Sequence, residues 1–150
     1  MNLKERINED LKSAMKSGDK LRLSVIRSIR ALILEFEKSG SGKQFTPEEE
    51  LSMLTTAAKK RKDSIEQFRN AGRNELADQE ENELKILMDY LPKQLTEIEI
   101  ESIIKNIAEQ TGAKTKEDFS KLMPASMKEL KGKADGKVVK SIVEKILGIN

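Results

Sequence analysis

The chain has 150 residues, of which 37% are hydrophobic, 36% charged and 3% aromatic, so it can form one compact domain or two small ones with thin cores. Because it contains neither cysteine nor histidine, disulfides, thiolate nucleophiles and sulfur ligands are excluded, and the commonest general base and metal ligand is missing. The net charge is only +2, so a surface that binds a polyanion would require an uneven distribution of charge along the chain. Leu, Ile, Glu, Lys and Ala dominate the composition, and because these residues favour helices we predict an all-α fold.

The N-terminal segment has no feature of a secretory signal. Residues 1–12, MNLKERINEDLK, are charged from the fourth residue onward and contain no apolar stretch. No apolar run of about 18 residues, long enough to cross a membrane, occurs in the sequence. We therefore expect a cytoplasmic protein with no membrane partner.

Apolar residues at helical spacing predict four helices in the first part of the chain. The third has the clearest start, because Thr46 can cap it, Pro47 suits the first helical position and Glu49 can complete a capping box. Pro92 ends the fourth, since proline disfavours helical geometry at the residue before it. The predicted segments are 3–17, 21–36, 46–70 and 76–91.

A glycine- and serine-rich segment, Ser39-Gly40-Ser41-Gly42, separates the second and third helices. With Lys43 it superficially matches the end of a P-loop. That motif would require a glycine in place of Glu37, a serine or threonine in place of Gln44, and a strand before it. We therefore expect a flexible linker.

Three further helices are predicted after a junction at residues 92–96. The first begins at a capping box formed by Thr96 and Glu99, and the second contains Pro124, which should kink it or split it into two pieces. Asp135 is suited to cap the last helix. We therefore predict an N-terminal four-helix domain of residues 1–92 and a C-terminal three-helix bundle of residues 96–150.

One basic run, Lys59, Lys60, Arg61 and Lys62, lies within the third predicted helix. Successive helical residues point in different directions, so these four charges cannot form one flat surface. The run is interpreted either as solubility charge with local acidic partners or as a secondary basic patch that meets phosphate.

A second basic cluster surrounds the loop before the last helix, where the lysines face only Glu129 and Asp135 over residues 128–140. Gly132 and Gly136 can leave backbone amides accessible beside a helix N-terminus, which suits a phosphate group, although Asp135 would compete as the cap. A plain turn between helices is an equal alternative. The lysines of the cluster are Lys128, Lys131, Lys133, Lys137 and Lys140.

No combination of residues has the composition of a complete active site. Acidic groups such as Glu80–Glu81 and Glu48–Glu50 are typical of solvated helix faces, so we predict no metal and no cofactor. Amide transfer from glutamine would require a cysteine, or a serine activated by lysine in a glycine- and serine-rich turn, and only the short linker offers such residues. We expect no intrinsic enzyme activity.

Three segments resemble the YqeY family of small bacterial proteins: KKRKDSIEQF at 59–68, LKILMDYLPKQL at 84–95 and KGKADGKVVKSIVEKIL at 131–147. The resemblance runs the whole length of the chain. The last segment, with the helix before it, is also similar to the C-terminal tail domain of the GatB subunit of glutamyl-tRNA(Gln) amidotransferase. It implies an N-terminal helical domain followed by a three-helix tail of the GatB type. The helix before the last, DFSKLMPASMKEL, lacks the glycine pattern of that tail.

Because the GatB tail binds tRNA, the resemblance implies that the loop and the last helix contact a tRNA backbone. We therefore expect a non-catalytic binding module that docks tRNA or other structured RNA, while the N-terminal helices hold or recruit a partner. One alternative is an accessory protein of glutamine-dependent carbon–nitrogen ligase (amidotransferase) chemistry. Another is a protein-interaction adaptor whose acidic stretch from Glu75 to Glu101 binds a basic partner without RNA. The expected RNA-binding residues are Lys128, Lys131, Gly132, Lys133, Ala134, Gly136, Lys137 and Lys140.

Overall fold

The computed structural model describes residues 1–149. Over this range it contains seven α-helices and no β-strand, which confirms the predicted all-α fold. A 3₁₀ turn at Lys116–Asp118 leads into the sixth helix. The helices are α1 Leu3–Ser17, α2 Lys20–Lys38, α3 Pro47–Asn70, α4 Asn74–Met88, α5 Glu97–Thr111, α6 Phe119–Leu130 and α7 Gly136–Ile146.

The chain folds into two compact units, each with its own internal contacts. Unit 1 is Met1–Leu91 and unit 2 begins at Pro92. Unit 1 contains α1 to α4, and unit 2 contains α5 to α7. The last helix of unit 1 ends three residues before Leu91, because the amides of residues 89, 90 and 91 each donate to the carbonyl three positions back, at 3.1, 3.0 and 3.1 Å. These tighter turns satisfy the last carbonyls of α4 before Pro92.

The core of unit 1 is built around α2. Val25, Ile26 and Ile29 on this helix are fully buried. Helix α1 packs against α2, α4 packs against α2, and α3 packs against α4. Direct contact between α2 and α3 is slight, so a groove separates these two helices.

Unit 2 has a separate core to which each of its three α-helices contributes. Ile104 of α5, Leu122 of α6 and Val143 of α7 are fully buried, and the three helices pack pairwise. Each such side chain contributes about 1.5–3 kcal/mol by leaving water. Replacing Leu122 by Ala would lose that contribution and leave a cavity, at about 2–5 kcal/mol.

Side-chain caps begin the helices for which the sequence predicts them. Thr96 accepts a hydrogen bond from the Glu99 amide at 3.2 Å, and the Thr96 amide donates to the Glu99 carboxylate at 2.9 Å, so this capping box is complete. Thr46 accepts a hydrogen bond from the Glu49 amide at 3.2 Å. The reciprocal bond to the Glu49 carboxylate is absent, so only half of the capping box predicted at this helix forms. Helix α5 ends at Gly112, whose left-handed conformation (φ 74°) closes the last turn.

Helix α6 runs without a break through Pro124, so the predicted split into two pieces is wrong. Pro124 lacks the amide that would bond to the Ser120 carbonyl, but only one turn of α6 precedes it. The lost hydrogen bond therefore falls near the helix start. Leu122, Ser126 and Leu130 are buried along one face of α6, and this packing holds the segment helical on both sides of the proline.

Candidate functional site

The loop between α6 and α7 is ordered by hydrogen bonds. Gly132 is buried in a left-handed conformation (φ 77°), and the Lys133 amide donates to the Leu130 carbonyl at 2.9 Å. The segment that enters unit 2 reaches back to this loop: the Leu95 amide donates to the Lys133 carbonyl at 2.9 Å, and the Gln94 side-chain amide donates to the Gly132 carbonyl at 2.7 Å. Two loop carbonyls are thus bound within unit 2, which fixes the shape of the loop.

The N-terminus of α7 is capped by a carboxylate from its own chain. Asp135 accepts a hydrogen bond from the Lys137 amide at 2.8 Å. Gly136 is the first helical residue and has no left-handed conformation, and a Cβ at this position would lie 3.4 Å from Cε of Met127. Asp135 therefore takes the place of an anion at this helix end, so a phosphate contact here would depend on lysine side chains.

Five exposed lysines follow the chain from the last turn of α6 into α7. Lys140 approaches Glu144 at 3.9 Å, close to the outer limit for an ion pair. Lys128, Lys131 and Lys133 form no ion pair with any acid among residues 1–149. Their charge therefore faces solvent, where a polyanion would meet it. The five lysines, called the lysine cluster below, are Lys128, Lys131, Lys133, Lys137 and Lys140.

The small residues predicted to bind RNA lie deeper than the lysines. Gly132 is buried, Ala134 is half-buried against the core of unit 2, and Gly136 is half-buried at the start of α7. These three residues lie on the core side of the loop, while the lysine side chains extend into solvent. That these residues and the lysine cluster bind RNA stays a prediction.

The run Lys59–Lys62 does not present its charges on one surface. Its two first lysines are exposed, whereas Arg61 is half-buried between helices. Nη1 of Arg61 lies 2.5 Å from Oε2 of Glu83 and 3.3 Å from Oε2 of Glu80, and Nη2 donates to Oγ of Ser28 at 3.3 Å. Arg61 thus joins α2, α3 and α4, and two carboxylates neutralise its charge.

A second arginine on α3 has the same type of contact. Nη2 of Arg69 lies 3.0 Å from Oδ1 of Asp78 and 2.9 Å from Oε2 of Glu81 on α4. The hydrogen bonds, that with Asp78 first and that with Glu81 second, raise the pKa of Arg69. Asp89 in addition lies 3.6 Å from Nη2 of Arg22. Five acids of the stretch proposed to bind a basic partner are therefore engaged inside unit 1, and the adjacent Glu80 and Glu81 bind different arginines.

Tyr90, two residues after the end of α4, contacts two side chains of α1. Its hydroxyl donates to Oδ2 of Asp10 at 2.5 Å, and the guanidinium carbon of Arg6 lies 4.4 Å from the centre of its ring. Burial, and then the hydrogen bond to Asp10, raise the pKa of Tyr90. The phenol therefore stays protonated at neutral pH and serves as a packed hydrogen-bond donor. Sequence reasoning missed this contact, because its residues lie 80 positions apart.

No helix in residues 1–149 is long and apolar enough to cross a membrane. Nor do the described residues bring together three or more acidic side chains in a group that could hold a metal ion.

Comparison with known proteins gives one family and a set of relatives. The family model described as Yqey-like protein matches residues 4–147. A protein from Pyrenophora tritici-repentis named "Altered inheritance of mitochondria protein 41, mitochondrial" is 33% identical over 147 residues, which cover 95% of this chain and 80% of that protein. The protein of the same name from Lachancea thermotolerans is 35% identical over 106 residues, which cover 67% of this chain and 55% of that protein. The one from Saccharomyces cerevisiae is 31% identical over 85% of this chain and 68% of its own length.

These names contradict the predicted cytoplasmic location. All three relatives are named as mitochondrial proteins. The prediction rested on the charged N-terminal residues and on the lack of a long apolar run in the sequence. They do not separate the cytoplasm from the interior of an organelle, so the cytoplasmic assignment is wrong.

Proposed function

The chain belongs to the YqeY-like protein family, whose model covers residues 4–147, and from this premise we propose that it is a non-catalytic helical module that docks tRNA or other structured RNA. The surface that would bind is the lysine cluster of unit 2. The observation that carries the proposal is that all five lysines are exposed and that three of them have no acidic partner in the described part of the chain. A polyanion would supply the missing negative charge.

The type of cation supports contact with the nucleic-acid backbone. Residues 92–150 contain eleven lysines and no arginine. The lysine ammonium group contacts phosphate as a single compact charge, whereas the arginine guanidinium group forms the paired hydrogen bonds that recognise guanine. Phe119 is the one aromatic residue of this segment and is half-buried, so stacking on unpaired bases has little support. Docking would therefore depend on shape and charge.

The proposal extends to the arrangement of unit 2. Its three α-helices would form a tail bundle of the GatB type, in which the fixed loop and α7 face the RNA. Unit 1 would hold or recruit a partner. A contribution to glutamine-dependent amide transfer would then be indirect, since this chain would bring the tRNA to an enzyme that performs the chemistry.

The test is binding of total tRNA and of a length-matched RNA duplex to the full chain over a range of salt concentrations. We expect preferential binding of tRNA and a linear fall of log affinity with log salt. Replacing Lys131, Lys133 and Lys137 together by Ala should reduce the slope by about 2–3, because each lost phosphate contact removes roughly 0.7–0.9.

The matched control removes the same charge from the other end of α6. Lys114, Lys116 and Lys121 are exposed in unit 2, and their triple replacement by Ala should leave the slope nearly unchanged. Equal effects of the two triple variants would mean that binding follows net charge rather than the lysine cluster. An unchanged slope in the first variant would remove the lysine cluster from the proposal.

A further inference from the structure

An open groove lies between α2 and α3 in unit 1. It has a volume of about 600 Å³, and Leu87 of α4 lies at its base. The lining positions on α3 recur every three or four residues from Glu49 to Ser64. At 1.5 Å per residue the groove therefore follows one face of α3 for about four turns, or about 22 Å.

The two walls of this groove differ. On α2, Ile29, Leu32 and Phe36 form one apolar stripe, since they are spaced by three and four residues. On α3, four of the eight lining side chains are small serine, threonine or alanine residues, and the others are Met53 and three charged residues. Small side chains on one wall and an apolar stripe on the other leave room for large apolar side chains of a bound element.

Some charged side chains that line the groove have ion-pair partners and others do not. Arg61 is neutralised by Glu80 and Glu83, so the base of the groove offers no unpaired cation. Lys60 and Glu49, in contrast, line the groove without an ion-pair partner among the described residues. They lie eleven residues apart on α3, which is about 16 Å along the helix axis.

We propose that this groove binds an amphipathic α-helix of a partner protein, about four turns long. The apolar face of that helix would enter the groove, with an acidic side chain opposite Lys60 and a basic side chain opposite Glu49. A nucleic acid does not suit a mainly apolar lining in which the arginine is already neutralised, and a compact small molecule would fill only part of the length. The inference rests on the recruiting role proposed for unit 1 and involves no RNA.

The first experiment is selection of a displayed library of helical peptides about 15 residues long on the full chain. Counter-selection uses Thr56→Trp, which fills the groove from an exposed position. We expect enriched peptides with apolar residues every three or four positions, and a loss of affinity of about tenfold or more in Thr56→Trp. Gln67→Trp, at an exposed α3 position outside the groove, should bind like the unaltered chain. Enrichment that Thr56→Trp does not weaken would overturn the proposal.

The second experiment tests the orientation of the bound helix by charge exchange. Lys60→Glu should weaken the selected peptide, and replacing the acidic residue of that peptide by Lys should restore its affinity. Lys12→Glu, a charge reversal at an exposed position of α1, should not weaken the selected peptide and should not favour the peptide that carries Lys. Methyl-labelled methionine locates the peptide, because the Met53 signal should shift while those of Met15 and Met127 do not.

Two outcomes contradict the proposal without reference to RNA. If Met53 does not shift, the peptide binds elsewhere. If no peptide is enriched but the chain forms a dimer that Thr56→Trp abolishes, the groove binds a second copy of this chain and not a partner. Loss of tRNA binding with intact peptide binding would instead count only against the function proposed for unit 2.

Discussion

Cations have different roles in the two units. Residues 1–91 carry seventeen basic and seventeen acidic residues, including all seven arginines of the chain, whereas residues 92–150 carry eleven lysines and nine acids. In unit 1, Arg61 and Arg69 bind carboxylates of a neighbouring helix, and Arg6 covers the ring of Tyr90. In unit 2 the lysine cluster is exposed. The net charge of +2 therefore belongs to unit 2.

This difference follows from the chemistry of the two side chains. A guanidinium group presents several donors in a plane and binds two carboxylates at once, so it can fix the position of two helices. An ammonium group on a flexible stem stays hydrated and loses little by remaining in water. Arg61 and Arg69 thus link helices of unit 1, while Lys128, Lys131 and Lys133 of unit 2 keep their charge in water. The following predictions test this contrast.

The largest effect is expected from Arg61→Ala. It leaves Glu83 buried without its partner, so the free energy of unfolding should fall by about 3 kcal/mol. Tyr90 is the one tyrosine of a chain without tryptophan, so its fluorescence during urea unfolding reports unit 1. For the triple Ala variant of Lys131, Lys133 and Lys137 in unit 2, the methyl signal of Met123 during urea unfolding should show a change of less than about 0.5 kcal/mol in the free energy of unfolding. Equal losses in both variants would abolish the contrast.

A smaller effect is expected from Tyr90→Phe, which removes the hydrogen bond to Asp10 and should lower the free energy of unfolding by about 1 kcal/mol at neutral pH. The pKa of Tyr90 is raised on folding, so its contribution is complete below the ordinary value of 10.0 and is lost as the pH rises above it. Circular dichroism during urea unfolding should show that the two proteins converge in alkaline solution. A constant difference at every pH would contradict the role given to the phenol.

The smallest effect is expected at Asp118 in unit 2. Its carboxylate accepts hydrogen bonds from the amides of Lys114 at 2.8 Å and Thr115 at 3.1 Å, and these bonds lower its pKa. The stabilisation is present above the ordinary value of 3.8 and is lost as the pH falls through the lowered pKa. Asp118→Asn should therefore make unit 2 less sensitive to acid, as followed by the methyl signal of Met123 on heating. Identical acid responses would exclude a stabilising role for this charge.

The helices could be predicted from the sequence because their determinants are local. Thr96 and Glu99 are three residues apart, and Gly112 directly follows the helix that it ends. The ion pairs could not be predicted in this way. Arg61 and Glu83 are 22 residues apart, and their contact depends on the register in which α4 returns along α3. At Pro124 the predicted split of α6 is wrong, because the buried face of α6 outweighs one missing backbone hydrogen bond.

The candidate site could be predicted only in part. Charge density along the sequence identifies the lysine cluster, and exposure of lysine is the general tendency. The inward position of Gly132 was not predictable, because Gln94, which binds its carbonyl, lies 38 residues earlier in the chain. The groove between α2 and α3 also escaped notice, since it results from how those helices pack on α4 and not from any motif.

The hydrogen bonds from Gln94 and Leu95 to the α6–α7 loop have a consequence for the thermodynamics of binding. A loop whose backbone is already held in place has little conformational entropy left to lose when a partner arrives. The remaining ordering falls on the lysine side chains, at up to about 2 kcal/mol for each one that becomes fixed. Partners that leave these side chains mobile while neutralising their charge would therefore be favoured over partners that demand one rotamer from each.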